Sequence, residues 1–563
     1  MQGTAQALES TRSYTELLFN RFLALWKNPK NRSHAPLFVF LAGLALICGA
    51  AVFTGAVPTK IYGHDVFLAL DPGWRVMNGQ RPHVDFTSPW GPVWFLIVAL
   101  GLTFSGSSVN GIGYANAFLA LVVGTWGFCL GRQRLLDASR ILLGLFLAAL
   151  VAAPYPLGIN PWVPSHAMAY NRYGYPLLGL ILLECCEPIR GPKYTRFRDA
   201  LGGFSTGVAL SMALFLKASY FLVALVLVAV LSVLLRRLQR ARLLGVFLGF
   251  GCASICLLAY LRFDLLAMLR DLHMAAGARG EGLSLIGVVD NAFTFGSVML
   301  AVALFTFTTA LVLGGRVAQW RGLRLPVTAA LCFLADIGLM STNAQRGGFP
   351  VSAVFAILVV NDVVEDVQIS KSSEASLHPA LYAGALCLGA LLFVPQFSSD
   401  ITGLAYGVWE KATPAAPSKV LRFSSANLRP LLLYDGNEPR ANGKEFTTYV
   451  NDGVALLETY TSKNETILTM DMTNPFPYAM QRKPMHGGFI APAARNTISA
   501  AHRPSDDEFL GDADILMVPK HPSTDNEFIH WYQDAIEQRY YVAAQSDWWW
   551  LCKRRPGTAP RRQ

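Results

Sequence analysis

The sequence predicts a polytopic α-helical membrane protein with about 11 to 13 spans, followed by a small α/β extramembrane domain at its C-terminal end. Of its 563 residues, 53% are hydrophobic and only 15% are charged, whereas a soluble protein carries roughly a quarter charged residues. Apolar runs suited to a hydrocarbon core of about 30 Å recur as far as Phe397. Beyond Phe397 the chain is polar, and short helical and strand patterns alternate. These observations divide the chain into residues 1–35, 36–396 and 397–563.

The polar N-terminal segment, residues 1–35, is predicted to be cytoplasmic. It has no short apolar core ending in a small-residue cleavage site, which is the pattern of a cleaved signal peptide. Positive charge before the first apolar run favours the cytoplasmic side of a membrane. The basic residues of this segment are Arg12, Arg21, Lys27, Lys30 and Arg32. This orientation puts the next loop, residues 58–92, on the outer face.

The bundle, residues 36–396, is predicted from apolar segments, several of which are shorter than a full span. They lie near 37–57, 93–105, 112–131, 140–154, 176–187, 200–217, 220–235, 243–261, 291–313, 325–341, 350–361 and 379–396. Counting from a cytoplasmic N-terminus puts Arg132 and Arg134 outside, whereas basic loops favour the inside. The sequence therefore predicts that one segment between 93 and 154 is partial or re-entrant, or that one span escapes the count.

The formal net charge of +10 does not indicate a nucleic-acid partner. Basic residues cluster in short loops between apolar segments, which is a signal of membrane topology and not a nucleic-acid footprint. The clusters are Arg190, Lys193, Arg196 and Arg198; Arg236, Arg237, Arg240 and Arg242; and Arg316, Arg321 and Arg324.

The first outer loop, residues 58–92, is the strongest candidate for a functional site. It holds His64, Asp65, Asp71, His83 and Asp85 among aromatic residues and turns that contain proline and glycine. Carboxylates beside hydrocarbon are costly, so a cluster of them is more often kept for chemistry than for packing. The alternative is an ordinary solvated loop whose charges mark the end of a span.

Further regions are predicted to face the same side as this loop. Arg172 lies among tyrosines, and Lys217 ends an apolar run. Residues 263–291 carry apolar side chains at helical spacing, which predicts an amphipathic helix on the membrane surface. A glycine-proline turn at 343–350 carries Arg346.

The C-terminal part, residues 397–563, is predicted to form a small α/β domain packed on the membrane part. The expected elements are a helix at 446–461, strands at 466–470 and 513–518, a helix at 527–539 and an aromatic strand at 540–552. The basic tail, 553–562, is expected to be a loose end.

The layout resembles the GT-C class of integral-membrane glycosyltransferases, in particular bacterial mannosyltransferase-like and aminoarabinose transferase-like enzymes. An acidic residue, Asp65 in His64-Asp65, follows the first span, and the stretch Gly79 to Phe86, with Pro82 and Asp85, continues to Gly91-Pro92. That stretch is similar to the G-x-x-P-Y-x-D-F…P pattern of many bacterial members. The motif similarity covers roughly residues 62–95, and the rest of the likeness is one of architecture. One departure is that the next acid after Asp65 is Asp71, whereas members with paired acids have them adjacent or one apart.

The resemblance implies an inverting glycosyltransferase that uses a polyprenyl-phosphate-linked sugar. The acceptor would be a hydroxyl of a cell-envelope glycolipid or polysaccharide, on the outer face of the bacterial inner membrane, with the C-terminal domain in the periplasm. Asp65 is then the candidate catalytic base, because the attacking hydroxyl must lose a proton. Cations must receive the charge of the leaving phosphate. The candidate substrate-binding residues are His64, Asp71, His83, Asp85, Arg172, Lys217 and Arg346. No organic cofactor is implied, and dependence on a divalent cation stays open.

Each candidate cation also has a structural explanation. Lysines at helix ends commonly extend to lipid headgroups, as Lys217 would. Arg172 fits equally well in an aromatic belt at the membrane interface, and Arg346 could mark topology. A transporter or flippase for a lipid-linked glycan is the main alternative function, and it would use the intramembrane acids Glu184 or Asp336. A non-catalytic membrane subunit with a partner-recruiting domain is the third.

Several motifs are better explained structurally. Asp512-Ala513-Asp514 has the DxD form of metal-dependent glycosyltransferases, but it leads directly into a strand and is expected to cap that strand. His83 and Asp85 lack a third ligand for a metal. The tryptophans 548–550 could bind sugar faces, but a strand that docks the domain onto the bundle is favoured. The nine cysteines show no CxxC pattern and no disulfide framework.

Overall fold

The fold is that of a computed structural model, which describes residues 34–186, 196–280, 285–313, 316–342, 345–370, 379–413, 420–434, 443–522 and 527–558. The basic residues of the predicted cytoplasmic segment, 1–35, lie outside the described residues.

Each predicted apolar segment coincides with a helix. The bundle contains α1 Ala35–Thr54, α3 Pro92–Phe104, α4 Gly111–Gly131, α5 Asp137–Ala152, α6 Ala169–Cys185, α7 Arg196–Leu216, α8 Ala218–Leu234, α9 Arg240–Tyr260, α12 Gly296–Leu313, α13 Arg324–Thr342, α14 Pro350–Ser370 and α15 Pro379–Ala412. Three further helices precede or join these: α2 Phe67–Met77, α10 Leu265–Gly280 and α11 Leu285–Thr294. Among the described residues, seven helices are long and apolar enough to cross a membrane: α1, α4, α7, α9, α12, α13 and α15. The chain is a polytopic helical membrane protein.

Helix α3 does not cross the bundle, because both of its ends meet the C-terminal domain. Before it, the Thr87 backbone N–H donates to the Gly488 carbonyl at 3.0 Å. After it, the Tyr478 hydroxyl donates to the Ser107 carbonyl at 2.9 Å. With 13 residues, α3 is also shorter than the roughly 20 residues that a span needs. It is the partial segment that the sequence predicts between 93 and 154.

This placement resolves the conflict over the basic loops. The connecting helices that remain are α1, α4, α5, α6, α7, α8, α9, α12, α13, α14 and α15, eleven in the described part of the chain. Arg134, just after α4, lies at the same end of the bundle as Glu184 and Arg242. Arg134 pairs with Glu184 at 2.9 Å, and Arg242 pairs with it at 3.3 Å. We call this end of the bundle the basic face, and the end that contacts the C-terminal domain the domain face.

The C-terminal domain is a four-stranded sheet covered by helices. Its helices are α16 Gly443–Tyr460, α17 Phe476–Ala479, α18 Asp506–Leu510 and α19 Gln533–Arg539, and its strands are β1 Ile467–Thr469, β2 Ile515–Pro519, β3 Tyr540–Gln545 and β4 Trp549–Arg554. The strand order is β1-β2-β4-β3. Strands β1 and β2 are parallel, and the other pairs are antiparallel. The predicted helix–strand alternation is therefore confirmed. Helix α15 continues past the predicted boundary at 397, because its second half, around Asp400 and Leu404, is buried against the bundle.

Two predictions for the end of the chain need correction. Trp549 does not dock the domain onto the bundle. Its ring lies 4.1 Å from that of Tyr449, and its indole N–H donates to the Tyr449 carbonyl, so it holds α16 on the sheet. The segment predicted as one strand is a hairpin, and its second strand includes the start of the basic tail. Arg554 and Arg555 donate backbone hydrogen bonds to Asp514 and Arg539.

The first loop is fixed against the C-terminal domain by one buried arginine. Arg75, on α2, is 1% exposed and pairs with Asp71 at 3.2 Å. Its other donors reach the carbonyls of Met485 and Gly487 at 2.9 and 3.0 Å. Because a buried guanidinium is costly unless its donors are satisfied, these contacts fix the loop and the domain to each other.

Gly91 provides a test of how closely the first loop packs on α7. It caps the start of α3, and a β-carbon there would lie 2.0 Å from the Phe215 carbonyl oxygen. We expect Gly91→Ala to destabilise the protein by about 1–3 kcal/mol, because the backbone must move apart. The matched control is Gly251→Ala on α9, where a β-carbon meets nothing within 4 Å. Thermal unfolding in detergent should show a lower Tm for Gly91→Ala only. Equal Tm values for both variants would contradict the close approach.

Candidate functional site

Asp65 lies on a short 3-10 turn, Gly63–Val66, between α1 and α2 at the domain face. The turn is fixed by Val66 and Phe67, whose side chains are fully buried. The carboxylate is 11% exposed, and its Oδ1 lies 3.1 Å from His64 Nε2. Burial opposes the charged form of His64, but the carboxylates of Asp65 and Asp471 outweigh it and raise the pKa of the imidazole.

Two cations and Asp65 lie near the side chain of Tyr170. The Lys217 Nζ lies 4.5 Å from the centre of the Tyr170 ring. Asp65 and Arg279 both act electrostatically on the same phenol. Lys217 occupies the extended residue that separates α7 from α8, and Arg279 lies in the last turn of α10. We call Asp65, Tyr170, Lys217 and Arg279 the Tyr170 cluster.

Aromatic rings hold Tyr170 in place. Trp90, at the end of the first loop, and Trp94, on α3, each have their ring centres 5.1 Å from that of Tyr170. The two tryptophan rings also pack edge to face on each other. Large rings in such contact limit the movement of the phenol, so α3 acts as a scaffold for the cluster even though it is not a span.

The cluster is electrostatically suited to an anion. Burial lowers the pKa of Lys217, and the positive charge of Arg279 lowers it further. Burial also lowers the pKa of Arg279, against the opposing effect of Tyr170. A phosphate held between these two cations would relieve their mutual repulsion and form charge-assisted hydrogen bonds.

Two predicted substrate-binding residues of the first loop have structural partners instead. Asp71 is buried against Arg75, and burial raises the pKa of Asp71 although the guanidinium opposes it. His83 Nδ1 lies 2.9 Å from Asp271 on α10, with both side chains fully buried. Asp271 also accepts a hydrogen bond from the Ser88 backbone at 3.1 Å. Both side chains thus help to build the loop, and their predicted roles in substrate binding stay predictions.

The predicted phosphate ligands separate in the structure. Lys217 belongs to the Tyr170 cluster. Arg172 is buried, pairs with Asp400 at 3.0 Å and donates to the carbonyls of Tyr155 and Leu150. These contacts join α6 to α15, and the predicted phosphate role of Arg172 stays a prediction. Arg346 is exposed on a loop whose backbone packs against Gly158. No contact that the structure describes brings Arg346 to Asp65, and its role stays a prediction.

The carboxylates of the DxD motif accept backbone hydrogen bonds just before β2, in agreement with the predicted capping role. Asp512 accepts a hydrogen bond from the His486 backbone at 2.7 Å, and Asp514 accepts one from the Thr466 backbone at 2.9 Å. Within the described ranges, no group of three or more His, Cys, Asp or Glu residues could hold a metal ion.

Sequence reasoning missed Arg279 and Asp471. Arg279 lies in the segment 263–291, which the sequence correctly predicts on the same side as Asp65. The apolar spacing of this segment indicated contact with lipid and gave no reason to single out the arginine. Asp471 follows β1 and accepts a hydrogen bond from the Tyr449 hydroxyl at 2.6 Å. It lies about 400 residues from His64 in the chain, so no local pattern could pair the two.

No family model matches the sequence, and no curated protein matches it. Two solved structures of ArnT from Cupriavidus metallidurans have a similar arrangement. The structure bound to undecaprenyl phosphate is 10% identical, with a TM-score of 0.41, and the alignment covers 94% of this chain and 100% of that one. The apo structure is 12% identical, with a TM-score of 0.37, and the alignment covers 93% and 99% of the two chains. At such low identities and TM-scores, these alignments do not decide the activity of this chain.

The raised pKa of His64 predicts a pH-dependent contribution to stability. Its folded-state pKa lies above the ordinary 6.5, so the pair with Asp65 stabilises the fold fully below that pH and loses its effect as pH rises through the raised value. We expect the Tm difference between the native protein and His64→Gln to be largest in acid and to shrink towards alkaline pH. The control is His530→Gln, at an exposed position. A His64→Gln difference that is independent of pH would contradict the assignment.

Proposed function

We propose that the protein is a membrane glycosyltransferase that moves a sugar from a polyprenyl-phosphate donor to a hydroxyl of a cell-envelope glycolipid or polysaccharide. The observation that carries the proposal is the Tyr170 cluster, in which one carboxylate and two cations meet at the domain face. A carboxylate suits a general base, and two neighbouring cations suit a phosphate leaving group. The motif of the first loop supports the same activity.

The reaction assigns one role to each charged group. Asp65 takes the proton of the acceptor hydroxyl as its oxygen attacks the anomeric carbon of the donor sugar. The bond from that carbon to the phosphate oxygen breaks, and the electron pair leaves with the polyprenyl phosphate. Lys217 and Arg279 receive the charge that develops on this phosphate. Attack from the side opposite the leaving group inverts the anomeric configuration, so we expect an inverting enzyme.

Topology supports action on the outer face of a bacterial inner membrane. The basic loops gather at the end of the bundle opposite the Tyr170 cluster, and basic loops favour the cytoplasm. The proposed site and the C-terminal domain would then be periplasmic, with the prenyl chain in the lipid and the sugar at the water interface.

The transporter alternative lacks support from its two candidate acids. Asp336 accepts hydrogen bonds from the Val351 and Ser352 backbones at 3.1 and 2.9 Å and so caps α14. Glu184 pairs with arginines of the basic loops. Both carboxylates are thus used to hold helices together, whereas a transport site needs groups that are available to cargo near the midplane.

The role of Asp65 can be tested by replacement with its amide. Asp65→Asn keeps the size of the side chain but removes the base, so we expect transfer to fall about 100-fold or more, with protein abundance unchanged. Asp534→Asn, an exposed change on α19, is the control. Transfer would be followed in membranes as the change in envelope glycan between a deletion strain and strains that express each variant. Native transfer by Asp65→Asn would refute the assigned base.

The two cations can be tested without knowledge of the acceptor. Lys217→Met and Arg279→Met should each weaken the binding of a polyprenyl phosphate about 10-fold or more, because each removes a charge-assisted contact. Calorimetry in detergent with a short-chain polyprenyl phosphate measures this directly. Lys463→Gln, exposed on the C-terminal domain, serves as the control. Unchanged affinity in both methionine variants would remove the phosphate site from the proposal.

A further inference from the structure

A cavity opens at the domain face, and it is separate from the Tyr170 cluster. It is a cleft of about 1070 Å³ between residues 83–87 of the first loop, α10 and the C-terminal domain. Asp65, Tyr170, Lys217 and Arg279 are not among the residues that line it. The cleft and the cluster nevertheless share one wall, since α10 carries both Arg279 and the cleft residue Arg270.

The cleft is acidic on a chain that is basic overall. Its lining residues include six carboxylates but only three lysines or arginines: Asp85, Asp264, Asp507, Glu508, Asp512 and Asp514 against Arg270, Lys483 and Arg554. Two of the acids are compensated, because Glu508 pairs with Arg270 and Asp507 pairs with Arg539. The formal charge of the whole chain is +10, so this excess of negative charge is local.

Three of the cleft carboxylates are fixed in place by backbone groups. Asp85 accepts from the Arg81 N–H at 2.7 Å, Asp264 from the Ala267 N–H at 2.9 Å, and Asp512 from the His486 N–H at 2.7 Å. In the described part of the chain, none of the three forms an ion pair with a lysine or arginine, and Asp85 Oδ1 lies 3.8 Å from the imidazole of His486, another cleft residue. Their negative charges are therefore held in position and remain available to a ligand.

His83 adds an independent observation at the cleft wall. It is 3% exposed and lines the cleft, and its Nδ1 is bound to Asp271. Its Nε2, on the other side of the ring, is buried without a hydrogen-bond partner in the described structure. Buried polar atoms usually have a partner, and in the described structure His83 is the one residue lining the cleft with a buried side-chain atom that lacks one.

We propose that this cleft binds the saccharide part of the acceptor and selects one that carries ammonium groups, an assignment that rests on the proposed transfer reaction. Carboxylates bind both ammonium groups and sugar hydroxyls through charge-assisted hydrogen bonds. Pockets for small organic ligands commonly enclose about 300–1000 Å³, so the cleft has room for more than one sugar. Its size and spread of charge fit an amino-oligosaccharide better than a single metal ion.

Binding to the purified full-length protein in detergent tests the ligand class. The probes are an oligomer of glucosamine, its fully N-acetylated counterpart of the same length, spermine and calcium ion. We expect the glucosamine oligomer to bind about 10-fold more tightly than the acetylated one. We also expect its binding to weaken as salt is added. Equal binding of the two oligomers, or equally tight binding of spermine, would overturn the selection for an amino-saccharide. Tight binding of calcium ion alone would overturn the proposal.

A charge-matched pair of variants locates the binding. Asp85→Asn, Asp264→Asn and Asp512→Asn combined keep the backbone hydrogen bonds but remove three negative charges, and should weaken binding of the glucosamine oligomer about 10-fold or more. The control combines Asp534→Asn, Glu537→Gln and Asp547→Asn, which remove the same charge from exposed positions outside the cleft. Equal binding by both triple variants would overturn the location.

Asp65→Asn separates this proposal from the proposed function. It should bind the glucosamine oligomer like the native protein while failing to transfer, because Asp65 does not line the cleft. In transfer assays the cleft variant should raise KM for the acceptor and leave kcat nearly unchanged. Loss of oligomer binding in Asp65→Asn would overturn the separation of the two sites. Transfer at the native rate by Asp65→Asn would count against the proposed reaction and not against binding in the cleft.

Discussion

The buried guanidinium of Arg75 is the interaction on which the shape of the site depends. Two of its acceptors, the carbonyls of Met485 and Gly487, lie more than 400 residues further along the chain. An arginine cannot be buried cheaply unless such acceptors are present. The first loop therefore reaches its final course only when the C-terminal domain is folded against it. Bundle and domain are one structural unit at this face, although their compositions differ.

Burial of positive charge has a different result in the Tyr170 cluster. At Arg75 the surrounding acceptors satisfy the charge, and the outcome is rigidity. Burial lowers the pKa of both Lys217 and Arg279, and the charge of Arg279 lowers that of Lys217 further. A phosphate that arrives beside them meets positive charge already in place, so the protein need not reorganise to receive it. The same physical penalty thus produces a structural joint in one place and a candidate phosphate site in another.

The sequence predicted the helices well and the contacts among charged residues poorly. Apolar length and composition are local properties, so each predicted segment coincides with a helix. Counting spans put the basic loop of Arg132 and Arg134 on the outer side, and this conflict pointed correctly to a partial segment. The partners of Asp71, His83 and Arg172 are set by three-dimensional packing. His83 pairs with Asp271 and Arg172 with Asp400, both from distant segments of the chain. Asp71 pairs with Arg75, which is close in sequence but becomes buried only against the C-terminal domain. Residue type and position suggested substrate binding for all three, and tertiary contacts give each of them a structural partner. The sequence did not predict a functional role for Arg279, because the apolar pattern of its segment indicated a helix in contact with lipid.

Helix α10 constrains how the two candidate sites could work together. Ala267 lines the cleft and Arg279 belongs to the Tyr170 cluster, and twelve residues of α-helix separate them by about 18 Å. Buried Met268 and Asp271 fix the helix to the protein, while Leu266 and Leu269 are exposed on its other side. A rigid helix with these contacts keeps the distance between the sites constant. This spacing along α10 favours an oligosaccharide over a single sugar as the acceptor held in the cleft.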